Sequence, residues 1–327
     1  MNTALAFAVF DRPLLVPYVY GNNRLLSRSG VVIRRGELYS EASPLPGHST
    51  DSLKDVVNAL QSKPAAQLLE EAASGHGALP PSLRFALEGL VAQRSPGAHV
   101  VRSNALLRWK NLKESTAQLG QFERAGYSVC KVKVPARGWE PILDLIEAFP
   151  GFTFRLDANL ALKPKILEAM ISSLEKRKLL SRVEYLEEPF DGVWDLESFR
   201  GSPLVFAADE TAPGASAALT LFDKKNPPSV FIVKPTVAGG LFSLQEFLDT
   251  LAAAGKKFVF TSTLEGEAGR RSLIAFLSRH ANETCGLSTG HLFLANFLGD
   301  QAEWKSVPET SAAEKNFLAG LEWQDCP

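Results

Sequence analysis

The sequence predicts an α/β fold in which a barrel of parallel strands follows an α+β segment. After about residue 97, short β-branched runs alternate with amphipathic helical stretches. Successive strand candidates lie roughly 25–30 residues apart, as the βα units of an eight-stranded barrel require. Charged residues follow five consecutive apolar runs at their carboxyl ends. An open doubly wound sheet is the alternative, but no Gly-x-Gly-x-x-Gly motif follows the first strand candidate.

The first 97 residues have a mixed pattern. Strand-like runs occupy residues 3–10, 30–34 and 37–42. Ser49-Thr50-Asp51 is a good N-cap sequence before apolar residues at helical spacing, and Pro80-Pro81-Ser82 opens a second helix that runs through Leu90. The polar stretch at residues 18–24 is predicted to be either a surface loop or a lid.

The barrel is predicted from eight strand candidates and the helices between them. The strand candidates are residues 99–105, 128–134, 153–157, 182–186, 204–208, 229–234, 257–262 and 285–288. Helical patterns occupy residues 113–125, 164–176, 241–254 and 266–279. The eighth strand is weak and no helix pattern follows it, so we expect the barrel to close irregularly.

Composition narrows the classes of partner. The 327 residues are 45% hydrophobic and 22% charged, with 35 Lys and Arg against 36 Asp and Glu. This balance favours a small-molecule carboxylate substrate over nucleic acid or an anionic membrane. Cys130, Cys285 and Cys326 are too few for a disulfide framework, and no apolar run of about 20 residues suggests a membrane span. We therefore expect a cytoplasmic protein.

One strand candidate carries two lysines in an apolar run, Cys130-Lys131-Val132-Lys133-Val134. Because side chains alternate between the faces of a strand, Lys131 and Lys133 share one face. Alone, this pattern is typical of an edge strand with solvated lysines. Two adjacent ammonium groups otherwise require carboxylates close by, and the next three strands supply them.

Charged residues occupy the carboxyl ends of five consecutive strand candidates, where β/α barrels carry their chemistry. These segments are Lys131-x-Lys133, Arg155-Leu156-Asp157-Ala158-Asn159, Glu187-Glu188-Pro189, Asp209-Glu210 and Lys234-Pro235. Carboxylates from three neighbouring strands favour Mg²⁺, with Mn²⁺ also possible. A network of ion pairs with the lysines and no metal is the alternative. Carboxylates that hold a metal opposite lysines favour removal of a proton α to a substrate carboxylate.

These segments, in this order, resemble the strand-end motifs of the enolase superfamily and, within it, the o-succinylbenzoate synthases of menaquinone biosynthesis. Residues 39–47, Tyr-Ser-Glu-Ala-Ser-Pro-Leu-Pro-Gly, also resemble a segment of that family's N-terminal domain. The resemblance implies a modified TIM barrel, (β/α)₇β, with an α+β capping domain. It implies capping-domain residues 1–97, barrel residues 98–290, and a C-terminal segment, residues 291–327, that packs with the cap.

The resemblance also implies roles for particular residues. Lys133 would be the base and then the acid in a dehydration, Lys131 would tune it, and Lys234 would stabilise the enolate. Asp157, Glu187 and Asp209 would bind Mg²⁺, with Glu187 chosen over Glu188 because the family's ligand lies two residues before the proline. The remaining implied residues, in contact with substrate or with the ligands, are Arg155, Asn159, Glu210 and Ser262.

The implied activity is dehydration of 2-succinyl-6-hydroxy-2,4-cyclohexadiene-1-carboxylate to o-succinylbenzoate by a lyase. The turns at residues 261–263 and 286–289 would meet the succinyl and carboxylate groups, and residues 18–24 would be the lid. His48 stands where the family leads us to expect an aromatic residue, and the lid and residues 238–240 also match poorly. Two alternatives therefore stay open: a racemase or epimerase of N-acylamino acids or dipeptides, and a non-catalytic barrel that binds a carboxylate.

Overall fold

The computed structural model describes residues 4–20, 23–75, 77–242, 244–279 and 283–327. Four residues of the predicted elements, Thr3, Gly21, Asn22 and Ser243, lie outside this set. Within it, no helix is both long and apolar enough to cross a membrane. The three cysteines form no disulfide.

Both ends of the chain contribute to an antiparallel sheet. Its strands, in sheet order, are β13 (Gln324–Asp325), β1 (Ala6–Tyr20), β2 (Asn23–Arg35) and β3 (Leu38–Ala42). Three helices, α1 (Leu53–Ser62), α2 (Ala65–Ser74) and α3 (Pro81–Arg94), follow the sheet in the chain and bury apolar side chains against it. The predicted α+β segment is therefore present. Its helix cap differs from the prediction, because Ser52 caps α1 while the Asp51 carboxylate accepts hydrogen bonds from the backbone N–H and hydroxyl of Ser82 in α3.

The first two strands are much longer than predicted and form a hairpin. They pair from Ala6 with Arg34 to Tyr20 with Asn23, with an irregularity between Pro13 and Tyr18. Residues 18–20 and 23–24, predicted as a loop or lid, are thus the strand ends at a hairpin tip. The polar sequence did not predict these longer strands, because a strand that projects beyond the core needs no apolar alternation.

Seven parallel strands form the second sheet. In sheet order they are β5 (Ala105–Leu107), β6 (Val129–Lys133), β7 (Thr153–Asp157), β8 (Val183–Glu187), β9 (Phe206–Ala208), β10 (Val230–Val233) and β11 (Lys257–Phe260). The accompanying helices are α4 (Leu112–Arg124), α5 (Pro141–Ala148), α6 (Pro164–Lys176), α7 (Ala215–Thr220), α8 (Pro235–Ala238), α9 (Gln245–Ala253) and α10 (Glu267–Leu277). After β8 the chain makes short 3₁₀ turns, Val193–Asp195 and Glu197–Phe199, before it reaches β9.

The barrel closes through single bridges in place of an eighth full strand. Cys285 forms a parallel bridge with Ser103, and Gly286 forms one with Thr261. Both residues also exchange backbone hydrogen bonds with the strands on either side. The structure therefore confirms the irregular eighth strand, and the molecule has a β/α barrel joined to a separate antiparallel sheet, as in a capped TIM barrel.

The first barrel strand lies later in the chain than predicted. Residues 99–105 do not form one strand, since β4 (Val101–Arg102) pairs with β12 (Glu303–Trp304) and the barrel strand is β5. Pairing with a segment about 200 residues away left no mark on the local sequence. The carboxyl end of strand one is consequently Leu107, not Ala105.

The C-terminal segment contacts both parts of the molecule. Trp304 in β12 is buried in the apolar layer between the barrel and its helices, while β13 pairs with β1. In α11 (Ala312–Ala319), Leu318 packs with Phe10 and Val32 of the antiparallel sheet. The domain boundaries at residues 97 and 290 stay predictions.

Two buried arginines, opposite one another on β1 and β2, hold the hairpin against the barrel. Arg12 pairs with the Glu267 carboxylate at the start of α10. Arg28 donates hydrogen bonds to four carbonyl oxygens, at 2.7 Å to Ser43, 2.9 Å to Pro44, 3.1 Å to Leu264 and 3.3 Å to Thr263. The guanidinium of Arg28 thereby joins the hairpin to the loop after β11.

Replacing Arg28 by methionine is expected to lower the free energy of unfolding by about 3 kcal/mol or more, because buried carbonyls would lose their donor. Urea unfolding followed by circular dichroism measures this change. Arg24→Met, at an exposed position on the same strand, is the control and should change stability by less than about 0.5 kcal/mol. Equal stability of the two variants would contradict the assigned role of Arg28.

Candidate active site

The register of the parallel strands brings the predicted residues to one level. Lys133 pairs with Asp157, and Asp157 pairs with Glu187, on three adjacent strands. On β6, Cys130, Val132 and Val134 are buried against the helices, so Lys131 and Lys133 point to the barrel interior. The predicted alternation along this strand is confirmed, and the edge-strand alternative is wrong because β6 lies between β5 and β7.

An open cavity lies over this level, at the carboxyl ends of the strands. Its wall combines barrel residues with side chains from the hairpin and from the loop after β3. The lining residues are Tyr18, Leu45, His48, Asn104, Leu106, Lys131, Lys133, Asp157, Asn159, Asp209, Glu210, Lys234, Thr261, Ser262, Thr263, Leu264, Gly286, Ser288 and Thr289. The predicted site residues in this wall are Lys131, Lys133, Asp157, Asn159, Asp209, Glu210, Lys234 and Ser262, and the two predicted turns also reach it.

Lys131 lies between two of the predicted metal ligands. Its Nζ is 2.9 Å from Oδ2 of Asp157 and 2.6 Å from Oε1 of Glu187. Burial alone would lower the pKa of Lys131, but the two carboxylates outweigh burial and hold its pKa well above the ordinary value. Lys131 is therefore a fixed positive charge.

Lys234 is paired in the same way on the other side of the barrel. It follows β10, which lies four strands away from β6, the strand of Lys133, in the sheet order. Its ammonium forms an ion pair with the Asp209 carboxylate. Burial opposes the charged form, yet Asp209 and Glu210 raise the pKa of Lys234 above its ordinary value. Lys133 and Lys234 thus approach the cavity from opposite sides.

Lys133 differs from the other two lysines. Its Nζ lies 5.1 Å from the centre of the Tyr18 ring at the hairpin tip. Among the residues that the structure describes, no carboxylate forms an ion pair with it. Lys133 is therefore the cavity lysine whose ammonium form is not held by a carboxylate.

The structure separates the neighbouring Glu187 and Glu188. Glu187 is the last residue of β8 and contacts Lys131, whereas Glu188 turns away from the cavity. Oε1 of Glu188 accepts hydrogen bonds from the backbone N–H groups of Asp209 and Thr211, at 2.7 and 2.9 Å, and from the Thr211 hydroxyl. Burial raises the pKa of Glu188 to about 7 despite these donors. Glu188 positions the chain after β9, which leaves Glu187 facing the barrel axis.

Asn159 and Glu210 contact each other at the rim, as implied for partners of the ligand carboxylates. Nδ2 of Asn159 donates to Oε1 of Glu210 at 3.0 Å, and its backbone N–H donates to Oδ1 of Asp157 at 3.1 Å. Arg155 is different, because it is not part of the cavity wall. Its guanidinium pairs with Glu184 at 2.7 Å and donates to the carbonyl of Thr284. Arg155 thus lies deeper in the barrel, and its implied role as a partner of the ligand carboxylates stays a prediction.

The turn after β11 is held by a buried carboxylate that the sequence analysis missed. Glu265 accepts hydrogen bonds from the Ser262 hydroxyl at 2.6 Å and from the Thr263 backbone N–H at 2.7 Å, and also from the hydroxyls of Thr236 and Thr263. These bonds fix Ser262 in the cavity wall and join the ends of β10 and β11. A signal was present, since an acid among hydroxyl residues after an apolar run is typical of such a turn.

Backbone conformations that side chains rarely adopt concentrate around the cavity. Five described non-glycine residues have a positive φ, and four of them lie in the loops that follow β7, β8 and β11: Asn159 at 42°, Leu160 at 61°, Glu188 at 41° and Leu264 at 65°. Such strained positions persist where surrounding contacts hold them, and they cluster at functional sites. Their placement supports this end of the barrel as the active site.

His48 enters the cavity from the loop after β3. Burial, followed by the positive charges of Lys234 and Lys133, lowers the pKa of His48 to about 4, so its imidazole is neutral near pH 7. His48, which stands where the family leads us to expect an aromatic residue, is therefore part of the cavity wall.

The carboxylates fit a divalent cation by their chemistry. Among the described residues, no three acidic, histidine or cysteine side chains are grouped closely enough to hold a metal as they stand. Asp157 forms an ion pair with Lys131, and Asp209 forms one with Lys234. Oε2 of Glu187, however, is buried and has no hydrogen-bond partner among the described residues. Burial and the adjacent Asp157 and Asp209 charges raise the pKa of Glu187, although Lys131 opposes them. A buried, unpaired oxygen in an all-oxygen set is what Mg²⁺ would satisfy.

Comparison with known proteins agrees with this geometry. An o-succinylbenzoate synthase of Vibrio cholerae serotype O1 (strain M66-2) is 28% identical over 94% of this chain and 96% of the relative. The chain is thus similar to o-succinylbenzoate synthases over nearly its whole length. No family model matches it.

Solved structures of other proteins show the same fold. An o-succinylbenzoate synthase from Thermosynechococcus elongatus BP-1, with Mg in its active site, has a TM-score of 0.76 at 22% identity and covers 97% of this chain and 99% of its own. A dipeptide epimerase from Methylococcus capsulatus, complexed with Mg and the dipeptide L-Arg-D-Lys, has a TM-score of 0.73 at 19% identity over 91% of this chain and 95% of its own. The chain therefore shares the fold of these two structures.

Proposed function

We propose that the protein is a lyase that dehydrates 2-succinyl-6-hydroxy-2,4-cyclohexadiene-1-carboxylate to o-succinylbenzoate, a step of menaquinone biosynthesis. The observation that carries the proposal is the arrangement of three lysines over one level of carboxylates, with Lys133 alone lacking a described carboxylate partner. The similarity to o-succinylbenzoate synthases over nearly the whole chain supports the choice of substrate.

Lys133 is the base in this proposal. A carboxylate partner stabilises the ammonium form of lysine, which makes Lys131 and Lys234 poor proton acceptors. Lys133 points into the same cavity without such a partner, and its nearest described aromatic neighbour, Tyr18, closes the site from the hairpin side. It can therefore take the proton from the substrate carbon next to the carboxylate.

In this proposal a single residue, Lys133, carries out both proton transfers of the dehydration. The Nζ amine of Lys133 takes the α-proton, and the electron pair left on carbon moves into the substrate carboxylate. The C–O bond to the ring hydroxyl then breaks, Lys133 returns its proton to that oxygen, and water leaves as the ring becomes aromatic. Lys234, on the far side of the cavity, stabilises the negative charge that develops between the two steps.

Asp157, Glu187 and Asp209 would hold Mg²⁺. When bound, the ion would supply a positive charge that binds the substrate carboxylate and favours loss of the α-proton. Lys131, fixed between Asp157 and Glu187, adds positive charge below the same position. Asn159 and Glu210 hold the loops after β7 and β9 together beside these carboxylates.

The second candidate function is racemisation or epimerisation of N-acylamino acids or dipeptides. It is favoured by one observation: Lys133 and Lys234 approach the cavity from opposite sides, so each can reach one face of an α-carbon. The pairing of Lys234 with Asp209 favours the lyase, because it leaves one cavity lysine, and not two, without a described carboxylate partner. A non-catalytic carboxylate-binding barrel is the third candidate, and an intact set of bases and ligands argues against it.

An ultraviolet assay tests the lyase. We expect the purified protein to consume the diene absorbance of the cyclohexadiene substrate with Mg²⁺ present. The rate should fall at least about a hundredfold after chelation and return when Mg²⁺ or Mn²⁺ is restored. If Mg²⁺ binds and the diene is stable, the lyase is excluded, and α-proton exchange on N-succinylamino acids and dipeptides in D₂O tests the second candidate.

A further inference from the structure

The carboxylate of Glu88 joins the antiparallel-sheet part of the molecule to the turn that follows β10. Glu88 lies on α3, which packs against the antiparallel sheet, and the residue is 1% exposed. Its Oε2 accepts hydrogen bonds from the backbone N–H of Leu241 and, at 2.7 Å, from that of Phe242. Hydrogen bonds to a carboxylate are about twice as strong as those between neutral groups. The position of this turn is therefore set from outside the barrel.

The segment between Lys234 and Leu241 is a single tight turn. Lys234 is the N-cap residue of α8, and its carbonyl oxygen accepts the backbone N–H of Ala238 at 2.8 Å. Gly239 and Gly240 then reverse the chain with φ angles of 105° and 131°, a region in which side chains are strained. Because the turn is hydrogen-bonded internally, a displacement at Leu241 also moves Lys234.

A second carboxylate holds α8 from the barrel side. The hydroxyl of Thr236, which is fully buried, donates to Glu265 in the loop after β11. The one-turn helix α8 is thus held by Glu265 and, through the turn that follows it, by Glu88. Its N-cap residue, Lys234, extends its ammonium to Asp209 in the cavity wall. Of the two carboxylates that hold α8, Glu88 is the one supplied by α3.

We propose that Glu88 is a positioning residue for Lys234, whose ammonium it holds over the cavity by fixing the turn after β10. Lys131 and Lys133 differ in this respect, because they lie on β6, where strand pairing on both sides places the backbone. The inference rests on the proposed function only for the part that Lys234 plays in the reaction. It gives α3 a share in stabilising the negative charge on the substrate.

Chemical modification of the lysines tests the positioning role without any turnover. Reductive methylation followed by peptide mass spectrometry gives separate rates for Lys234 and Lys131, whose side chains are 13% and 17% exposed and paired with carboxylates. Glu88→Ala should raise the rate at Lys234 by about tenfold or more, because two backbone N–H groups lose a charged acceptor. The rate at Lys131 should rise by less than about twofold. Glu88→Gln, whose amide oxygen can still accept both bonds, should lie between Glu88→Ala and the unaltered protein.

Gln93→Ala is the matched control on the same helix. Nε2 of Gln93 donates to the Tyr39 carbonyl at 2.8 Å and to the Ser272 hydroxyl at 3.1 Å, so this side chain joins α3 to β3 and α10. The variant should lower thermal stability and change the rate at Lys234 by less than about twofold. If Glu88→Ala does not fold, Glu88→Asp, whose carboxylate is one methylene further from the turn, should raise the rate at Lys234 in its place. Equal increases at Lys131 and Lys234, no increase at Lys234, or the same increase in Gln93→Ala overturns the inference.

The rate of dehydration separates this inference from the lyase proposal. Displacement of Lys234 in Glu88→Ala should lower kcat by about tenfold or more and change KM by less than about twofold, because the charge that Lys234 stabilises develops only during the reaction. If the unaltered protein does not dehydrate the cyclohexadiene but methylation of Lys234 responds as expected, the lyase proposal fails and the positioning role stands. Full kcat in a Glu88→Ala protein whose Lys234 reacts faster overturns Glu88 as a positioning residue for the reaction.

Discussion

Replacing Lys133 by alanine is expected to reduce turnover of the cyclohexadiene substrate by at least about 10³-fold, since a positioned base contributes roughly 10²–10⁴-fold and Lys133 acts in both proton transfers. Binding of Mg²⁺ should change little, because none of the three candidate ligands forms an ion pair with Lys133 in the described structure. Steady-state rates and a calorimetric Mg²⁺ titration on the same preparation measure both effects.

Two further variants make this result specific. Lys133→Arg keeps the positive charge but cannot give up its proton near neutral pH, so it should be as inactive as the alanine variant. Lys165→Ala, at an exposed position on α6, should retain the full rate. An alanine variant with a tenth of the original rate, or an active arginine variant, would remove Lys133 from the role of base.

Replacing Glu187 by glutamine is expected to weaken Mg²⁺ binding by at least about a hundredfold, because altering even an indirect partner of a metal ligand costs roughly 10–100-fold. Turnover should fall with it at any fixed low Mg²⁺ concentration. The physical reason is the loss of one negative charge from the buried oxygen set, in which Oε2 of Glu187 has no described hydrogen-bond partner. Calorimetry with Mg²⁺ and with Mn²⁺ measures the change.

The adjacent glutamate provides the matched control. In Glu188→Gln the amide oxygen can still accept the hydrogen bonds of the Asp209 and Thr211 backbone N–H groups, so folding and Mg²⁺ affinity should be kept within a few-fold. If Glu188→Gln loses Mg²⁺ and Glu187→Gln does not, the choice between the two residues is reversed. If neither variant changes Mg²⁺ binding, the carboxylates form an ion-pair network and not a metal site.

The residues of the catalytic cavity could largely be predicted because strand periodicity and strand ends leave local marks. Alternation on β6 placed Lys131 and Lys133 on one face, and on four of the five strands the apolar run ended at a charged residue that lines the cavity. On the fifth strand, β8, the run ended at Glu187, which is buried against Lys131. Parallel strands in a barrel share one direction, so the ends of successive runs meet at one rim. The choice of Glu187 over Glu188, by contrast, came from resemblance, and the structure adds the reason that Glu188 is engaged with the chain after β9.

Features that depend on distant segments could not be predicted in this way. The hairpin continues to Tyr20 and Asn23 although its tip is polar. Several partners of the buried arginine pair on β1 and β2, the Glu267 carboxylate and the carbonyls of Thr263 and Leu264, lie more than 200 residues away along the chain. The ion pairs of Lys131 and Lys234 likewise depend on the exact reach of long side chains across the barrel.

The wrong prediction of strand one most clearly separates what local sequence can predict from what depends on distant segments. The sequence placed the strand at residues 99–105, whereas pairing of β4 with β12 moves the barrel strand to Ala105–Leu107. With the end at Leu107, the next residue is Arg108, which the rule of a charge at the strand end would have selected. The sequence by itself therefore determined the barrel, its charged rim and the three lysines, since each follows from local periodicity. Only tertiary structure decided which lysine is left without a carboxylate, and that Arg108 and Trp109 line a second cavity beside the catalytic one, because both depend on which distant segments pair.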